Sequence, residues 1–108
     1  MTKPLLSFLV LQMLAQLIPK DGPPIPLKKD VTLIGRREFV CDVLIDDPGI
    51  SQTHCLIVRL DNRYLVRDLG SFNGTCINDQ QVMESPILDG DVLSLQAVTF
   101  RFMVDDVG

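Results

Sequence analysis

The sequence predicts an all-β fold, an antiparallel β-sandwich of about ten to eleven short strands. Beyond residue 16, short apolar runs alternate with segments rich in Gly, Pro, Asn and Asp. Evidence for helix is thin, because only residues 5–17 carry a plausible helical stretch, and that apolar run does not distinguish a helix from a strand. The 108 residues, 46% hydrophobic and 22% charged, suffice for one domain with its own core.

The predicted strands follow one another with short connections, as a compact sandwich requires. In chain order we expect strands over residues 17–19, 25–27, 31–34, 43–45, 54–60, 63–69, 76–77, 92–95 and 98–104. Asp61-Asn62 lies between two of these runs and is a two-residue hairpin signal. Residues 78–80 (Asn-Asp-Gln) are expected to turn the chain into Val82.

Residues 1–16 are predicted to be an apolar N-terminal segment, a helix or a strand, ahead of a sandwich domain at 17–105. The apolar run at 5–15 is too short for a membrane helix, which takes roughly 20 apolar residues. It has the length of a signal-peptide core but lacks a clear small-x-small cleavage pattern. The alternative is that the segment packs on the domain or on a partner chain, which allows a homodimer through it.

Charge and cysteine usage bound the partners and the compartment. The formal net charge of -4 argues against a general nucleic-acid binder, although an arginine pocket can still attract an anion locally. The three cysteines, Cys41, Cys55 and Cys76, are an odd number without paired spacing, which fits a reducing, cytoplasmic location. Neighbouring His54 and Cys55 should point to opposite strand faces and cannot share an ion, so no metal site and no cofactor are predicted.

Three predicted loops carry residues that suit a phosphate group. Arg36 offers a planar fork of donors, and the preceding Gly35 permits close approach of another backbone. Ser51 lies in a loop just before a strand, where its hydroxyl can point outward. Asn73 can donate its amide to a passing peptide, and Gly74 permits a sharp bend. Three loops at one end of a sheet fold can bring these groups together, and the set suits a phosphate dianion better than it suits catalysis.

A hydrolase is the enzymatic alternative, built on Ser51 and His54. It has weak support, because the chain has one histidine and no acidic partner is evident beside it. At the start of a strand, His54 is better explained as a residue that bonds nearby loop backbone. We therefore predict no enzyme activity. A phosphate-independent scaffold or self-association module that uses the same sandwich is the second alternative.

Taken in order, these motifs resemble the forkhead-associated (FHA) domain, a β-sandwich that binds phosphothreonine. The resemblance covers about residues 17–104, and its parts are weak separately but strong as an ordered set. The matching motifs are Gly-Arg, Ser-x-x-His, Asp-Leu-Gly-Ser-x-Asn-Gly-Thr, a single Asn and a Leu-x-Gly-Asp-type run, at residues 35–36, 51–54, 68–75, 78 and 88–93. The resemblance implies an FHA/SMAD-like fold and a non-catalytic signalling module whose partner is a phosphothreonine-containing protein or peptide.

The resemblance also implies roles for individual residues. Arg36 and Ser51 match the residues that contact the phosphate. Asn73 matches the asparagine that hydrogen-bonds the ligand's main chain, and Asn78 is expected to hold the peptide or its loop. The residues expected to shape the loops are Gly35, His54, Gly74 and Thr75.

Three positions depart from the pattern of the family. Gln52 stands where many members have Arg or Lys, and Phe72 stands where a Ser or Thr hydroxyl often assists the phosphate. Both are counted among the phosphopeptide-binding residues, with Phe72 expected to select an apolar flank. Gly49, in the loop that helps to choose the ligand's +3 residue, offers no side chain.

Overall fold

The computed structural model describes residues 13–106, and within that range the protein has eleven strands and no helix. The strands, numbered in chain order, are β1 (Met13–Pro19), β2 (Ile25–Leu27), β3 (Val31–Gly35), β4 (Val43–Leu44), β5 (Cys55–Leu60), β6 (Arg63–Asp68), β7 (Thr75–Ile77), β8 (Gln80–Val82), β9 (Glu84–Ile87), β10 (Val92–Leu95) and β11 (Val98–Asp106). The prediction of an all-β fold with about this number of strands is confirmed.

The strands form two sheets, one ordered β2-β1-β11-β10-β7-β8 and the other β4-β3-β5-β6-β9. Neighbouring strands run antiparallel except β3 and β4, which pair in parallel. The exception arises because the chain folds back beside β3 before β4 begins. In that fold-back, Asp42 N–H donates to the Leu33 carbonyl at 2.8 Å.

Buried side chains from both sheets form one hydrophobic cluster. Burial follows the alternation of a strand that has one face covered, as in β6, where Tyr64 and Val66 are buried and Leu65 between them is less so. Tyr64 of one sheet meets Phe102 of the other edge-to-face, with ring centroids 5.2 Å apart. The core therefore lies between the two sheets, as in a sandwich.

The first described strand runs through the predicted boundary between residues 16 and 17. β1 pairs with β11 from Met13 opposite Asp106 to Pro19 opposite Phe100. Residues 13–16 of the predicted N-terminal segment thus form a strand of the sheet, whereas residues 1–12 lie outside the described part of the chain. Among the described residues, no helix is long and apolar enough to span a membrane.

Two turns agree with their sequence signals, and two strands were not predicted. Asp61-Asn62 closes the hairpin between β5 and β6, with Asp61 at a φ of 57°. Asn78 and Asp79 turn the chain into β8 with φ values of 51° and 68°. The strands missed from the sequence are β8 and β9. Of these, β9 contains Pro86; because β9 is the edge of its sheet, that residue needs no ladder partner on the outer side.

Candidate functional site

Three loops meet at one end of the sandwich, namely the β3–β4 loop (36–42), the β4–β5 loop (45–54) and the β6–β7 loop (69–74). The first two are joined by their backbones. Arg36 N–H is shared between the carbonyls of Ser51 at 3.1 Å and Gln52 at 3.2 Å, and Arg37 N–H donates to the Gln52 carbonyl at 3.1 Å. Arg36 and Ser51, far apart in the sequence, are therefore neighbours in space.

The Arg36 side chain is held at its base and free at its tip. Its Nε donates to the Ile50 carbonyl at 2.9 Å, which fixes the guanidinium along the β4–β5 loop. Within residues 13–106 no group accepts a hydrogen bond from either Nη atom, and the residue is exposed. The guanidinium thus keeps donors that can bind an anion in a planar, two-pronged geometry.

Gly35 permits the close approach of these two loops. A Cβ added to this buried glycine would lie 2.3 Å from the Gln52 carbonyl oxygen and 2.9 Å from the Cys41 sulfur. Both separations are shorter than real Cβ contacts, and the nearer atom belongs to backbone that cannot swing away. Only glycine therefore fits between β3 and the β4–β5 loop.

Ser51 connects the β4–β5 loop to the β6–β7 loop. Its Oγ accepts a hydrogen bond from the Phe72 N–H at 2.9 Å. The described residues offer no acceptor to its hydroxyl hydrogen, so the group can still donate to a ligand. The hydroxyl is half-buried and lies on the loop whose backbone accepts from Arg36.

Asn73 bridges the same two loops and keeps spare hydrogen-bonding groups. Its Nδ2 donates to the Gly49 carbonyl at 2.8 Å. In the part of the chain described, its Oδ1 and second N–H have no partner, and the residue is exposed. Such an amide can accept from a peptide N–H and donate to a peptide carbonyl at once.

His54 is fully buried beneath the loops and uses both ring nitrogens on backbone. Its Nδ1 lies 3.2 Å from the Ser51 nitrogen, and its Nε2 lies 2.9 Å from the Gly74 carbonyl oxygen. Because an N–H can only donate and a carbonyl can only accept, the ring is the neutral tautomer with its proton on Nε2. Neither nitrogen is free to take a proton from the Ser51 hydroxyl, which is the step that a Ser-His hydrolase requires.

A carboxylate organises the β6–β7 loop from within. Asp68 Oδ1 accepts from the hydroxyls of Ser71 and Thr75, both at 2.6 Å, and its Oδ2 accepts from the Ser71 N–H at 3.0 Å. The Ser71 hydroxyl in turn accepts from the Gly74 N–H at 3.0 Å. Burial by itself would raise the pKa of Asp68, but these hydrogen bonds outweigh it and hold the pKa below its ordinary value of 3.8.

Sequence reasoning assigned no role to Asp68 or Ser71, although a signal was present. An Asp three residues before a Ser has the spacing of an N-cap, in which the carboxylate accepts a hydrogen bond from the N–H three positions later. Thr75, expected to shape the loop, is completely buried and donates to the same carboxylate. Hydrogen bonds among the residues on either side of Phe72 and Asn73 therefore fix the turn that carries these two residues.

Gln52 and Phe72 lie at the junction of the loops but contribute differently. The Gln52 carbonyl accepts from the Arg36 and Arg37 N–H groups and from the Cys41 thiol at 3.2 Å. The Gln52 side chain is exposed, as is the Phe72 ring, which is 92% exposed. Both residues are therefore bonded to the Arg36–Ser51 pair through their backbones, while their side chains are not packed into the fold.

Asn78 is not brought to this junction. It lies beyond the far end of β7, a three-residue strand that spans roughly 10 Å. Its Nδ2 donates to Asp91 Oδ1 at 2.9 Å, and its Oδ1 accepts from the Val92 N–H at 2.9 Å. These bonds tie the β7–β8 turn to the start of β10, so the geometry gives Asn78 a loop-holding position instead of a place beside Arg36.

Comparison with known proteins matches the part of the chain that carries these motifs. The family model for the FHA domain matches residues 32–96, which include all three loops. Among curated proteins, the chain is 36% identical to the FHA domain-containing protein FhaA of Mycobacterium tuberculosis over 81 residues, 74% of this chain and 15% of that protein. It is 31% identical to the oxoglutarate dehydrogenase inhibitor of Corynebacterium jeikeium over 85 residues, 79% of this chain and 58% of that one.

A plant relative and two solved structures extend the comparison. An FHA domain-containing protein of Arabidopsis thaliana is 30% identical over 95 residues, 82% of this chain and 25% of its own length. The chain thus spans less than two thirds of the length of these curated relatives. EmbR of Mycobacterium tuberculosis, solved with a low-affinity phosphopeptide, superposes with a TM-score of 0.82 at 25% identity, over 94% of this chain and 29% of EmbR.

The second structure is an FHA domain from work on phosphothreonine-dependent FHA domain interactions. It superposes with a TM-score of 0.78 at 29% identity, and the match covers 83% of this chain and 95% of that domain. A family model that spans most of the described strands, relatives that carry the domain name and near-complete superposition on a solved FHA domain agree with one another. The chain belongs to the FHA domain family.

Proposed function

We propose that this chain is a non-catalytic module that binds phosphothreonine in partner proteins. The observation that carries the proposal is the junction of Arg36 and Ser51. One backbone hydrogen bond of 3.1 Å holds the two residues together, while the Nη atoms of one and the hydroxyl hydrogen of the other are unused within residues 13–106. A phosphate dianion accepts from both kinds of donor.

The rest of the junction supplies what a peptide needs besides its phosphate. Asn73 retains an acceptor and a donor for the ligand's main chain. The similar structures support the same assignment, since EmbR was solved with a phosphopeptide and the second FHA domain was studied for phosphothreonine-dependent interactions. Recognition of a phosphorylated motif through arginine is a recurring mode of peptide binding.

The free energies of the available contacts indicate an affinity in the range of transient signalling. A hydrogen bond to a charged group contributes about 1.5–3 kcal/mol. Micromolar binding corresponds to about 8.2 kcal/mol, after the cost of ordering the ligand. The phosphate contacts of Arg36 and Ser51 are therefore insufficient alone, and main-chain contacts through Asn73 together with flanking side chains must supply the remainder.

The geometry of His54 supports the non-catalytic part of the proposal. Both of its ring nitrogens are bonded to backbone groups, so the ring positions the loops and does not activate Ser51.

The three cysteines are free thiols, which supports a reducing, cytoplasmic location for the module.

The experiment compares a phosphothreonine peptide, its phosphoserine counterpart and its unphosphorylated twin by isothermal titration calorimetry. We expect the phosphothreonine peptide to bind and the unphosphorylated peptide not to bind. Arg36→Ala should lose at least tenfold in affinity. Arg63→Ala is the matched control, because this exposed arginine lies at the other end of β6 from the β6–β7 loop. Equal binding of the phosphorylated and unphosphorylated peptides would refute the proposal.

A second candidate function, self-association without phosphate, is favoured by one surface feature. An open groove is lined in part by Leu14, Pro26 and Leu27. Leu14 is 57% exposed, and in the sequence it directly follows the apolar N-terminal run. Sedimentation velocity on the full chain and on a variant lacking residues 1–12 tests this candidate. The deletion stops before Met13 because β1 pairs with β11 from that residue onward. A monomer in both samples would exclude a homodimer through the segment.

A further inference from the structure

The outer face of the five-stranded sheet is apolar where a solvent-facing sheet is ordinarily polar. An antiparallel sheet with one face on the core and the other in solvent alternates apolar and polar residues along each strand. In β5 the inward-facing Cys55 and Ile57 are buried, yet the outward-facing Leu56 and Val58 are also apolar and only partly covered. The neighbouring strands repeat this pattern. The outward-facing set, here called the apolar face, consists of Val31, Leu33, Leu56, Val58, Leu65 and Pro86.

Strand pairing arranges the apolar face in two rows. The first row crosses β3, β5, β6 and β9 without a polar residue and consists of Val31, Val58, Leu65 and Pro86, each opposite the next. The second row pairs Leu33 with Leu56. It ends at the edge of the sheet in an ion pair, with Arg67 Nε 3.8 Å from Glu84 Oε1. A contiguous apolar area of this kind on a sheet surface marks a site of interaction.

The chain enters the domain beside the first row. Residues 1–12, which lie outside the described part of the chain, lead into β1. Leu14 of β1 and Arg59 of β5 line the same groove, and Arg59 directly follows Val58. Extended chain advances about 3.3 Å per residue, so twelve residues span up to about 40 Å, whereas the row measures about 14 Å across three strand spacings of about 4.8 Å. The segment before β1 is therefore long enough to reach and cross the row.

The composition of this segment matches the apolar face. Residues 5–11 read Leu-Leu-Ser-Phe-Leu-Val-Leu, with no charged side chain and one hydroxyl. Packed on the first row, they would remove apolar surface from water on both sides without burying a charge. The Arg67–Glu84 pair, at the end of the second row, would stay in solvent.

The size of the apolar face favours a tethered occupant over a second copy of the chain. Four strands at about 4.8 Å and a strand length of six residues at about 3.4 Å give a surface of roughly 20 by 20 Å. Two such surfaces packed together would bury about 800 Å², whereas stable interfaces between proteins bury about 1,200–2,000 Å². A segment of the same chain needs less area, because a short tether holds it at an effective concentration of about millimolar.

We propose that residues 5–11 pack on the apolar face of their own chain and cover its first row. The apolar face is a docking site on the side of the sandwich, built from strands and not from the loops that carry Arg36 and Ser51. The inference is therefore independent of the proposed phosphopeptide binding. It competes with a homodimer through the segment, because the same apolar residues cannot cover the sheet of one chain and bind a second chain at once.

The test places a fluorescent reporter in the segment of the full chain. Phe8→Trp serves this purpose, because the chain has no tryptophan and Phe8 lies in the middle of the apolar run. Val58→Lys puts a charge into the first row, and Val58→Thr, which keeps the shape and adds a hydroxyl, is the milder variant in case the lysine prevents folding. Ser94→Lys is the matched control, since Ser94 lies between buried Leu93 and Leu95 and faces outward from the other sheet.

We expect the native reporter to emit at a shorter wavelength than the urea-unfolded chain and to be quenched severalfold less by acrylamide. Both properties should persist over about a hundredfold dilution, because the contact is intramolecular. Both Val58 variants should shift the emission back toward the unfolded value, and Ser94→Lys should not. Emission typical of a solvent-exposed indole, or a shift that both Val58 variants retain, overturns the inference. A shift that is lost on dilution together with a dimer in sedimentation velocity overturns it in favour of a second copy.

Discussion

His54 Nε2 donates a hydrogen bond to the Gly74 carbonyl oxygen at 2.9 Å, and this bond joins the start of β5 to the β6–β7 loop. The opposite nitrogen of the same ring accepts from the Ser51 N–H. One buried imidazole thus sets the spacing between the loop of Ser51 and the loop of Asn73. The positions of the proposed phosphate and main-chain contacts depend on a residue that lies beneath the binding surface.

Replacing His54 should therefore affect both stability and binding. His54→Ala leaves the Ser51 N–H and the Gly74 carbonyl without partners and opens a cavity at a fully buried site. We expect the free energy of unfolding in urea to fall by about 2–4 kcal/mol and the phosphopeptide affinity to fall with it. A variant as stable as the wild type within about 0.5 kcal/mol would show that the ring does not hold the loops.

Asp68 predicts an acid sensitivity of the β6–β7 loop. Its pKa is lowered in the folded state because hydrogen bonds from Ser71 and Thr75 overcome the effect of burial. A group whose pKa is lower in the folded state stabilises the fold above its unfolded value and loses this contribution as the pH falls through the folded value. Stability should therefore decline as the pH drops through 3.8 and below.

The variant Asp68→Asn isolates this carboxylate from Asp42, whose pKa is also lowered by the Leu33 N–H and by Lys29. At neutral pH, Asp68→Asn should be destabilised by about 1–3 kcal/mol, because an amide cannot accept all three of the hydrogen bonds. The difference from wild type should shrink as the pH is lowered. Urea titrations at pH 7, 5 and 3 measure this; a difference that stays constant with pH would contradict the assignment.

Replacing Gly35 should weaken phosphopeptide binding by more than the loss of stability explains. In Gly35→Ala the new methyl group meets the Gln52 carbonyl oxygen, so the β3–β4 and β4–β5 loops must separate and move Arg36 away from Ser51. We expect the free energy of unfolding to fall by about 1–3 kcal/mol and the phosphopeptide affinity to fall at least tenfold.

Gly90→Ala is the matched control for this substitution. Its φ of 90° strains an alanine, but no atom lies within 4 Å of the added methyl group. It should lose about 1 kcal/mol of stability and bind the peptide as the wild type does. If both variants lost affinity equally, the effect would reflect general destabilisation and not the spacing of the loops.

The three cysteines should differ in their rates of alkylation. Burial and, to a smaller extent, the nearby Asp68 carboxylate raise the pKa of the Cys55 thiol to about 12. Because the thiolate is the reactive form, Cys55 should resist alkylation in the native protein at pH 8, while Cys41 and Cys76, which are partly exposed, react faster. Mass spectrometry after timed iodoacetamide treatment distinguishes the three sites. Native labelling of Cys55 as fast as of the other two would show that β5 opens.

The strands that could be predicted are those whose side chains alternate or run apolar between turn residues. β5, β6 and β11 are of this kind, and the hairpin at Asp61-Asn62 connects the first two. β9 escaped prediction because Glu84, Ser85 and Pro86 carry no strand signal. Only its pairing with β6 at the edge of the sheet makes it a strand, and that information is not local.

The sequence predicted which residues belong to the candidate site, but it could not predict their hydrogen-bond partners or their exposure. The motifs located Arg36, Ser51 and Asn73 in loops, and the structure brings those loops together. The sequence could not show that the Asn78 side chain is hydrogen-bonded to Asp91 and Val92, because these partners lie at the start of β10, more than ten residues further along the chain. It also could not show that Phe39 is fully exposed, since an apolar residue beside a strand is equally well explained as core.

The most direct test of the account is a double-mutant cycle on Arg36 and Ser51. The affinities of wild type, Arg36→Ala, Ser51→Ala and the double variant are measured with a phosphothreonine peptide and its unphosphorylated twin. Because both residues are expected to hold the same phosphate, their losses should be coupled by about 0.5–3 kcal/mol, and only for the phosphorylated peptide. Losses that add independently, or variants that bind both peptides as the wild type does, would contradict the central claim.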